Sequence, residues 1–384
     1  MLRQAGFRAA ALVVALIVAA CGSDVPDETS APDYWPTEEW RIAMPADRGF
    51  DSAAFQQTTT QLAIELPFLD SVVVVRDGYL IYEGYFNGYD AGKIHNVASV
   101  TKSWTSAAVG IAQDRHDAVR LDATLATLLP EHFAGEQRQD KAKITLRHLL
   151  EMRSGIDFSE DALNSGEYGS PEELAARDLT ALALEFPVAH KPGEAWNYST
   201  LDTQLLSAAT QRALGKPLEA FVRESLFEPM GIRDYHWFAD GAGTTVGGQD
   251  LSLTPRDMAK LGLLYLNGGE WDGTQLVPSR WVETSTAPQG REARYREKTE
   301  VIQWYGHHWW TWGPDWYGGY AAFQAKGYAG QQILVLPELN LVVVTTANTH
   351  VAPEAAAAQE EAIYHFLRDR ILPTVREAEG AESR

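Results

Sequence analysis

Cysteine is almost absent from this chain: Cys21 is the single cysteine among 384 residues, so no disulfide can form within one molecule. Cationic residues are scarce as well, with 32 Lys and Arg against 52 Asp and Glu, which leaves a formal net charge of −20. No cluster of basic residues offsets that charge. The composition therefore argues against nucleic acids and acidic polymers as partners.

The apolar run at residues 9–20 is too short to span a bilayer, and it follows two arginines as the core of a signal peptide does. It ends in small residues directly before Cys21, an arrangement that resembles the bacterial lipobox. We therefore expect residues 1–20 to be a lipoprotein signal peptide and Cys21 to be lipidated. The alternative is an ordinary secretory signal that happens to contain a cysteine.

Residues 21–48 are expected to form a tether, because most of this segment is rich in Asp, Glu, Pro, Ser and Thr without helical or strand periodicity. Trp35 and Trp40 suggest that its far end packs on the folded domain. These features predict an extracytoplasmic protein held to a bacterial membrane by its lipid, on the periplasmic or cell-surface side.

The stretch Ser99-Val100-Thr101-Lys102 carries the clearest chemical signal. A predicted helix over residues 99–113 places Lys102 one turn after Ser99 on the same face. Serine needs a base to attack an acyl carbon at neutral pH, and a lysine whose pKa is lowered by burial can supply it. Ser-x-x-Lys therefore indicates a nucleophile and its base.

This tetrapeptide is weak evidence alone, because a chain of this length contains it by chance about once. Its surroundings strengthen the signal. Segments 71–76 and 79–86 have strand character and are joined at Asp77-Gly78, a strong hairpin signal. The helix after this hairpin is small and apolar nearly all round, which is typical of a central, buried element.

The residues after this helix have mostly helical patterns, and strand patterns return toward the carboxyl end. Further helices are predicted at residues 144–152, 170–184, 200–214, 218–227, 254–267 and 353–367, and further strands at 301–312, 319–325, 332–336 and 341–346. Strands at both ends with helices between them predict an α/β (α+β) fold: one antiparallel sheet built from both chain ends, flanked by helices. We expect residues 49–116 and 245–384 to form this part, with 117–244 as an inserted all-helical domain.

Several motifs together resemble the serine β-lactamase and penicillin-binding-protein fold family, nearest its class C, esterase and 6-aminohexanoate-dimer hydrolase branch. The motifs are ASVTK at 98–102, ITLRHLLEMRSG at 144–155, WNYSTLD at 196–202, PMGI at 229–232, GG at 247–248 and GYAGQ at 327–331. The resemblance covers essentially all of residues 50–370. It implies Ser99 as nucleophile, Lys102 as base partner and Tyr198 as the residue that passes the proton to the leaving group.

Two positions depart from the family pattern. Thr200 stands where the family has an asparagine that helps hold a β-lactam side chain, and Tyr328-Ala329-Gly330 lacks the Lys or His of the last motif. We expect Tyr328 and Gly330 to bind substrate, Gly330 by letting it approach the backbone. The amides of Ser99 and Gln331 are expected to form the oxyanion hole.

Aromatic residues supply further candidates. Tyr168 resembles a substrate-covering tyrosine of the aminohexanoate-dimer hydrolases, although a plain loop tyrosine is an equal alternative. Tryptophans on the predicted strand 301–312 are expected to be core pairs, with one or two walling an acyl pocket. His307 and His308 lie among them without metal-ligand spacing.

The expected function is a serine hydrolase that forms an acyl-enzyme on Ser99 and cleaves small esters or linear amides without a cofactor. The alternatives are a β-lactamase or D-amino-acid-specific cell-wall peptidase, and a non-catalytic binding lipoprotein of the same fold. The absence of Gly-x-Ser-x-Gly argues against an α/β-hydrolase. The natural acyl donor and the oligomeric state are left open.

Overall fold

The computed structural model describes residues 34–134, 138–289 and 303–376. Cys21, the predicted signal peptide and the first part of the predicted tether lie outside these ranges. Trp35 packs against Trp271, with ring centroids 4.9 Å apart, so the far end of the predicted tether contacts the folded part. Every helix in the described ranges is too short or too polar to cross a bilayer.

The described elements are numbered in chain order. Before the middle of the chain they are α1 (Ser52–Glu65), β1 (Leu69–Arg76), β2 (Tyr79–Tyr85), β3 (His95–Asn96), α2 (Thr101–Arg115), α3 (Leu125–Leu128), α4 (Leu146–Leu150), α5 (Glu160–Asn164), α6 (Pro171–Ala175) and α7 (Leu179–Ala183). The later elements are α8 (Thr200–Leu214), α9 (Leu218–Val222), β4 (Tyr235–Trp237), β5 (Leu251–Leu253), α10 (Pro255–Leu266), β6 (Glu270–Trp271), β7 (Thr274–Gln275), α11 (Ser279–Thr286), β8 (Gln303–Tyr305), β9 (Trp310–Tyr317), β10 (Tyr320–Gly327), β11 (Gln331–Leu336), β12 (Leu341–Ala347) and α12 (Pro353–Phe366).

A seven-stranded antiparallel sheet, in the order β2-β1-β12-β11-β10-β9-β8, joins the two ends of the chain. The two ends meet where β1 pairs with β12, and Val73 lies opposite Val344 in that pair. The predicted sheet from both chain ends is therefore confirmed. The predicted hairpin is confirmed too, because Asp77 and Gly78 have φ of 52° and 80°, as the favoured two-residue turn requires.

Helices cover both faces of this sheet. Successive side chains of a strand point to opposite faces, so Val73 and Val75 of β1 belong to the core that contains α2, α8 and α10. Val72 and Val74 belong to a second core with α1 and α12. An unbroken run of four valines is buried because each face of the strand meets helices.

Helix α2 is the central element between the sheet and the helices of the middle segment. Its residues from Thr101 to Ala112 are all buried, as the sequence predicts. It begins two residues later than predicted, and Ser99 lies in the short 3-10 turn Ala98–Val100 that precedes it. The boundaries of the helical insertion remain predictions.

Two predicted elements are each divided in two. The helix expected at 170–184 becomes α6 and α7, because the Asp178 side chain accepts from the Ala181 N–H and starts a new helix there. The strand expected at 301–312 is broken into β8 and β9 by a tight turn. In that turn the Gly306 N–H donates to the Trp309 carbonyl at 2.7 Å, and His308 adopts a φ of 63°.

Candidate active site

The turn that carries Ser99 begins with a residue in the left-handed backbone conformation. Ala98 has a φ of 47°, in a region that side chains other than glycine seldom adopt. Its N–H donates to the Asn96 side chain at 2.9 Å, and the Asn96 amide in turn donates to Asp250 at 3.1 Å. These contacts fix the chain just before Ser99 and leave its side chain partly exposed at the head of α2.

The Lys102 amine lies at the buried end of a short hydrogen-bond cluster. Its Nζ is 2.7 Å from Ser99 Oγ, 2.9 Å from Thr200 Oγ1 and 2.8 Å from the Gly248 carbonyl oxygen. The side chain itself is buried. Burial lowers the pKa of Lys102 to about 8, although the nearby carboxylates of Glu160 and Asp250 act in the opposite direction.

Two of these three partners must accept a proton from Lys102. The Gly248 carbonyl can only accept. Thr200 donates its own hydroxyl proton to Glu160 Oε1 at 2.6 Å, so its oxygen is also an acceptor toward Lys102. A neutral amine has two N–H groups, and these two acceptors use both of them. The remaining lone pair then faces Ser99, which is the arrangement a general base requires.

The loop at Gly247 and Gly248 passes between α2 and α8 at van der Waals contact. A Cβ on Gly248 would lie 2.9 Å from the Thr200 backbone oxygen, and one on Gly247 would lie 2.6 Å from Ser207 Cβ. The Gly247 carbonyl accepts from Thr105 Oγ1 at 2.7 Å. The two glycines therefore let the backbone come close enough for the Gly248 carbonyl to reach Lys102.

Tyr198 lies two residues before the first residue of α8, where Ser199 caps the helix by accepting from the Asp202 N–H. Asp202 is fully buried and accepts from Ser154 Oγ at 2.6 Å. Burial raises the pKa of Asp202 to about 7, against the hydrogen bonds from Ser154 and Ser199. The predicted motifs at 144–155 and 196–202 thus meet, and their contact orients Tyr198. Its ring centroid is 4.9 Å from Lys102 Nζ.

Ser99 opens into a cleft. The residues lining it are Ser99, Glu160, Asn164, Tyr198, Trp310, Lys326, Gly327, Tyr328 and Glu360. Trp310 is the tryptophan of the predicted aromatic strand that walls this cleft, and it packs on Tyr198 at 5.4 Å between ring centroids. The structure thus brings together Ser99, Lys102, Tyr198 and Tyr328 among the predicted site residues.

A cation lies next to the last motif, although the sequence predicted that this motif lacks one. Lys326 lines the cleft, at the penultimate position of β10, and forms an ion pair with Glu360 of α12. Gly327 is the glycine that packs against the Ser99 turn, because a Cβ on it would lie 2.4 Å from the Val97 carbonyl. The backbone that closes on Ser99 is therefore that of Gly327 and Tyr328.

Three predicted residues lie away from the lining of this cleft. Gln331 is buried at the start of β11, opposite Gly327, and its side chain donates to the Ala347 carbonyl at 2.7 Å. Gly330 packs against α12, where a Cβ would lie 2.4 Å from Ile363 Cδ1.

Tyr168 stacks on Phe158 in a neighbouring apolar cluster, and its hydroxyl accepts from the Ser159 N–H at 3.3 Å. Its covering role stays a prediction.

Glu160, Lys326 and Glu360 are site residues that the sequence did not reveal. Glu160 looks like an ordinary helix-start acid after Ser159, which caps α5. Glu360 looks like one of many charges on a closing helix. A weak signal for Lys326 was available, since it directly precedes the glycine of the last motif.

The backbone carbonyls of His307 and His308 hold α2. The His308 carbonyl accepts from Ser103 Oγ and the His307 carbonyl from Ser106 Oγ, both at 2.7 Å. Burial holds the pKa of His308 well below its usual range. Among the described residues, no group of three or more His, Cys, Asp or Glu side chains is arranged to hold a metal ion.

Comparison with known proteins gives matches along most of the chain. A sequence model of the Beta-lactamase family matches residues 67–367. Esterase EstB from Burkholderia gladioli is 27% identical over 254 residues, which cover 60% of this chain and 63% of the esterase, so less than two thirds of that relative is spanned. The 6-aminohexanoate-dimer hydrolase from Paenarthrobacter ureafaciens is 25% identical over 310 residues, which cover 77% of this chain and 76% of that enzyme.

A solved structure from Bacillus anthracis, described as a candidate 6-aminohexanoate-dimer hydrolase, superposes with a TM-score of 0.66 at 23% identity. The superposition covers 86% of this chain and 88% of that protein, so the two share a fold. The family match spans well over half of the chain and includes the Ser99 turn, the cleft and most of the sheet. This chain therefore belongs to the Beta-lactamase family.

Proposed function

We propose that this protein is a serine hydrolase that forms an acyl-enzyme on Ser99 and hydrolyses esters or linear amides. The observation that carries the proposal is the 2.7 Å contact between Ser99 Oγ and a buried Lys102 amine. The other two partners of that amine accept its protons and leave its lone pair for Ser99. The similarity to an esterase and to a linear-amide hydrolase supports the same substrate class.

In the first half-reaction, Ser99 Oγ bonds to the carbonyl carbon while its proton moves to Lys102 Nζ. Tyr198, which lines the same cleft, gives its hydroxyl proton to the leaving alcohol or amine as the bond to the carbonyl carbon breaks, and Lys102 passes the Ser99 proton to Tyr198. In the second half-reaction water attacks the acyl carbon and gives a proton to Lys102. The bond between the acyl carbon and Ser99 Oγ then breaks, and Ser99 Oγ takes up that proton as the acid leaves. Both halves balance without a cofactor.

The developing oxyanion needs backbone donors, each typically worth about 3 kcal/mol of barrier height. We propose the Ser99 amide and the Tyr328 amide, the latter in place of Gln331. Support comes from the packing of Gly327 against Val97 and from the position of Tyr328 on the cleft wall. A glycine at 327 lets this segment approach the nucleophile turn.

The test is the intact mass of the purified protein after brief exposure to a p-nitrophenyl ester, a fluorophosphonate and a penicillin, beside Ser99→Ala. We expect a Ser99-dependent adduct with the ester and the fluorophosphonate. A stable adduct or rapid turnover with the penicillin alone would favour the β-lactamase or peptidase alternative. A folded protein that reacts with none of the three would favour the non-catalytic binding lipoprotein.

We also propose that Cys21 carries a lipid and holds the domain at an extracytoplasmic membrane surface. The proposal rests on the sequence around Cys21, with the predicted tether between the anchor and Trp35. Such a location would expose the cleft to small molecules that reach the cell envelope.

A further inference from the structure

Lys326 and Glu360 form an ion pair within the cleft that Ser99 faces. Lys326 Nζ lies 2.9 Å from Glu360 Oε2, and each side chain is only 10% exposed. The other oxygen of Glu360 accepts from the Ala329 N–H at 3.2 Å, which holds the carboxylate in place from the backbone. The Lys326 ammonium is therefore already matched by a carboxylate of this chain.

The remaining charges around the cleft do not favour an incoming anion. Glu160 and Glu360 both line the cleft, and Glu160 accepts hydrogen bonds from the Thr200 hydroxyl and N–H. Lys102 lies behind Ser99 with three partners of its own. A substrate carboxylate would have to displace Glu360 from Lys326 or lie near two carboxylates, and either arrangement is costly in a poorly solvated site.

We propose that the Lys326–Glu360 pair makes the site selective for esters and amides that carry no carboxylate near the scissile bond. This inference rests on the proposed acyl-enzyme function and names its substrate class. Glu360 is then a specificity-determining residue, because it neutralises the cation that would otherwise hold an anionic substrate. Removal of its charge should free Lys326 to bind a carboxylate.

The experiment compares two pairs of esters matched in shape. On the acyl side the pair is p-nitrophenyl hexanoate and the p-nitrophenyl monoester of adipate. On the leaving-group side it is methyl 4-(butanoyloxy)benzoate and its free carboxylate. The variant is Glu360→Gln, whose amide oxygen can still accept from Ala329. The control is Glu361→Gln, which removes the same charge from an adjacent, 52% exposed side chain of α12.

We expect Glu360→Gln to raise the anionic-to-neutral ratio of kcat/KM by about tenfold in at least one pair, and Glu361→Gln to leave both ratios unchanged. Adding Lys326→Met to Glu360→Gln should abolish the rise. Unchanged ratios in Glu360→Gln, an equal rise in Glu361→Gln, or a rise that survives Lys326→Met would each overturn the inference.

The wild-type protein provides a second measurement that needs no variant. Its anionic-to-neutral ratio, divided by the same ratio for hydroxide-catalysed hydrolysis, should be about one tenth or lower in at least one pair. A normalised ratio near or above one in both pairs would overturn the selectivity while leaving Ser99 acylation intact. A wild-type protein that hydrolyses neither member of either pair would refute the acyl-enzyme proposal, and this inference with it.

Discussion

Lys102 Nζ lies 2.8 Å from the Gly248 carbonyl oxygen, an acceptor that does not titrate. Lys102 therefore keeps this anchor whether it is charged or neutral, and titration changes the availability of its lone pair more than its position. A base held in this way needs no rearrangement before it accepts the Ser99 proton. The pH dependence of the reaction should follow directly from its pKa.

We predict that kcat/KM for a neutral ester rises with pH through a midpoint near 8 and levels above it. Burial lowers the pKa of Lys102 to about 8, and the charged form that dominates below that pH has no lone pair for Ser99. Rates measured from pH 6 to 10 would check this. Lys102→Met should lose roughly 10²- to 10⁴-fold in rate and lack the inflection. A midpoint near the ordinary lysine value would contradict the prediction.

Glu160→Gln should move that midpoint to lower pH. The Glu160 carboxylate favours the charged form of Lys102, so its neutralisation removes a contribution that raises the Lys102 pKa. The same pH series measures the shift. Asp161→Asn is the matched control, because it removes a neighbouring, exposed charge of α5. An unchanged midpoint with reduced rate would show that Glu160 supports the site only through its hydrogen bonds to Thr200.

Tyr198→Phe should slow acylation by roughly 10²- to 10⁴-fold while leaving the protein folded, because it removes only the hydroxyl of a ring whose centroid lies 4.9 Å from Lys102 Nζ. The burst of p-nitrophenol and the thermal midpoint would be measured together. Tyr168→Phe serves as comparison, since the Tyr168 hydroxyl accepts from the Ser159 N–H in the neighbouring cluster. Equal losses in the two variants would argue against a specific proton-transfer role for Tyr198.

Gly327→Ala should impair catalysis by about ten- to a thousandfold, because the added Cβ would lie 2.4 Å from the Val97 carbonyl and push β10 away from the Ser99 turn. The Tyr328 amide would move with it. Gly313→Ala is the control, since its Cβ meets only ordinary contacts with Trp304 at 3.4 Å. Wild-type acylation in a folded Gly327→Ala variant would remove the support for Tyr328 as a donor.

Cys21→Ser should move the protein from the membrane fraction to the soluble fraction. A serine at this position has no thiol for lipidation, and a single apolar run of this length is too short to anchor the chain as a helix. Fractionation and immunoblotting of cells would measure the shift. Retention of the variant in the membrane fraction would count against Cys21 as the anchor.

The features that the sequence predicts correctly are those determined by residues close together in the chain. The Asp77-Gly78 hairpin and α8 follow from periodicity and turn chemistry, and α8 has the predicted bounds. Ser99, Lys102 and Tyr198 follow from short motifs. Residues 170–184 form two helices because the Asp178 side chain caps the second one. Hydrophobic periodicity does not reveal such a cap.

The charges of the cleft depend on packing between distant segments. Lys326 and Glu360 meet only because α12 lies beside the end of β10. Glu360 has no local signature, and the only local signal for Lys326 is its place before the glycine of the last motif. The segment Gly327-Tyr328-Ala329-Gly330 contains two glycines, and sequence alone gives no reason to choose between them. Contact with Val97 identifies Gly327 as the glycine at the Ser99 turn, whereas Gly330 packs against Ile363.

The junction of the two chain ends also sets when this site can exist during biosynthesis. Ser71 and Thr346 are 275 positions apart, yet their hydroxyl oxygens are 2.6 Å apart where β1 pairs with β12. A ribosome that has made Ser99, Lys102 and Tyr198 still has to supply Trp310, Lys326 and Glu360 before the cleft has walls. A chain that has not yet reached Glu360 therefore lacks the complete cleft around Ser99.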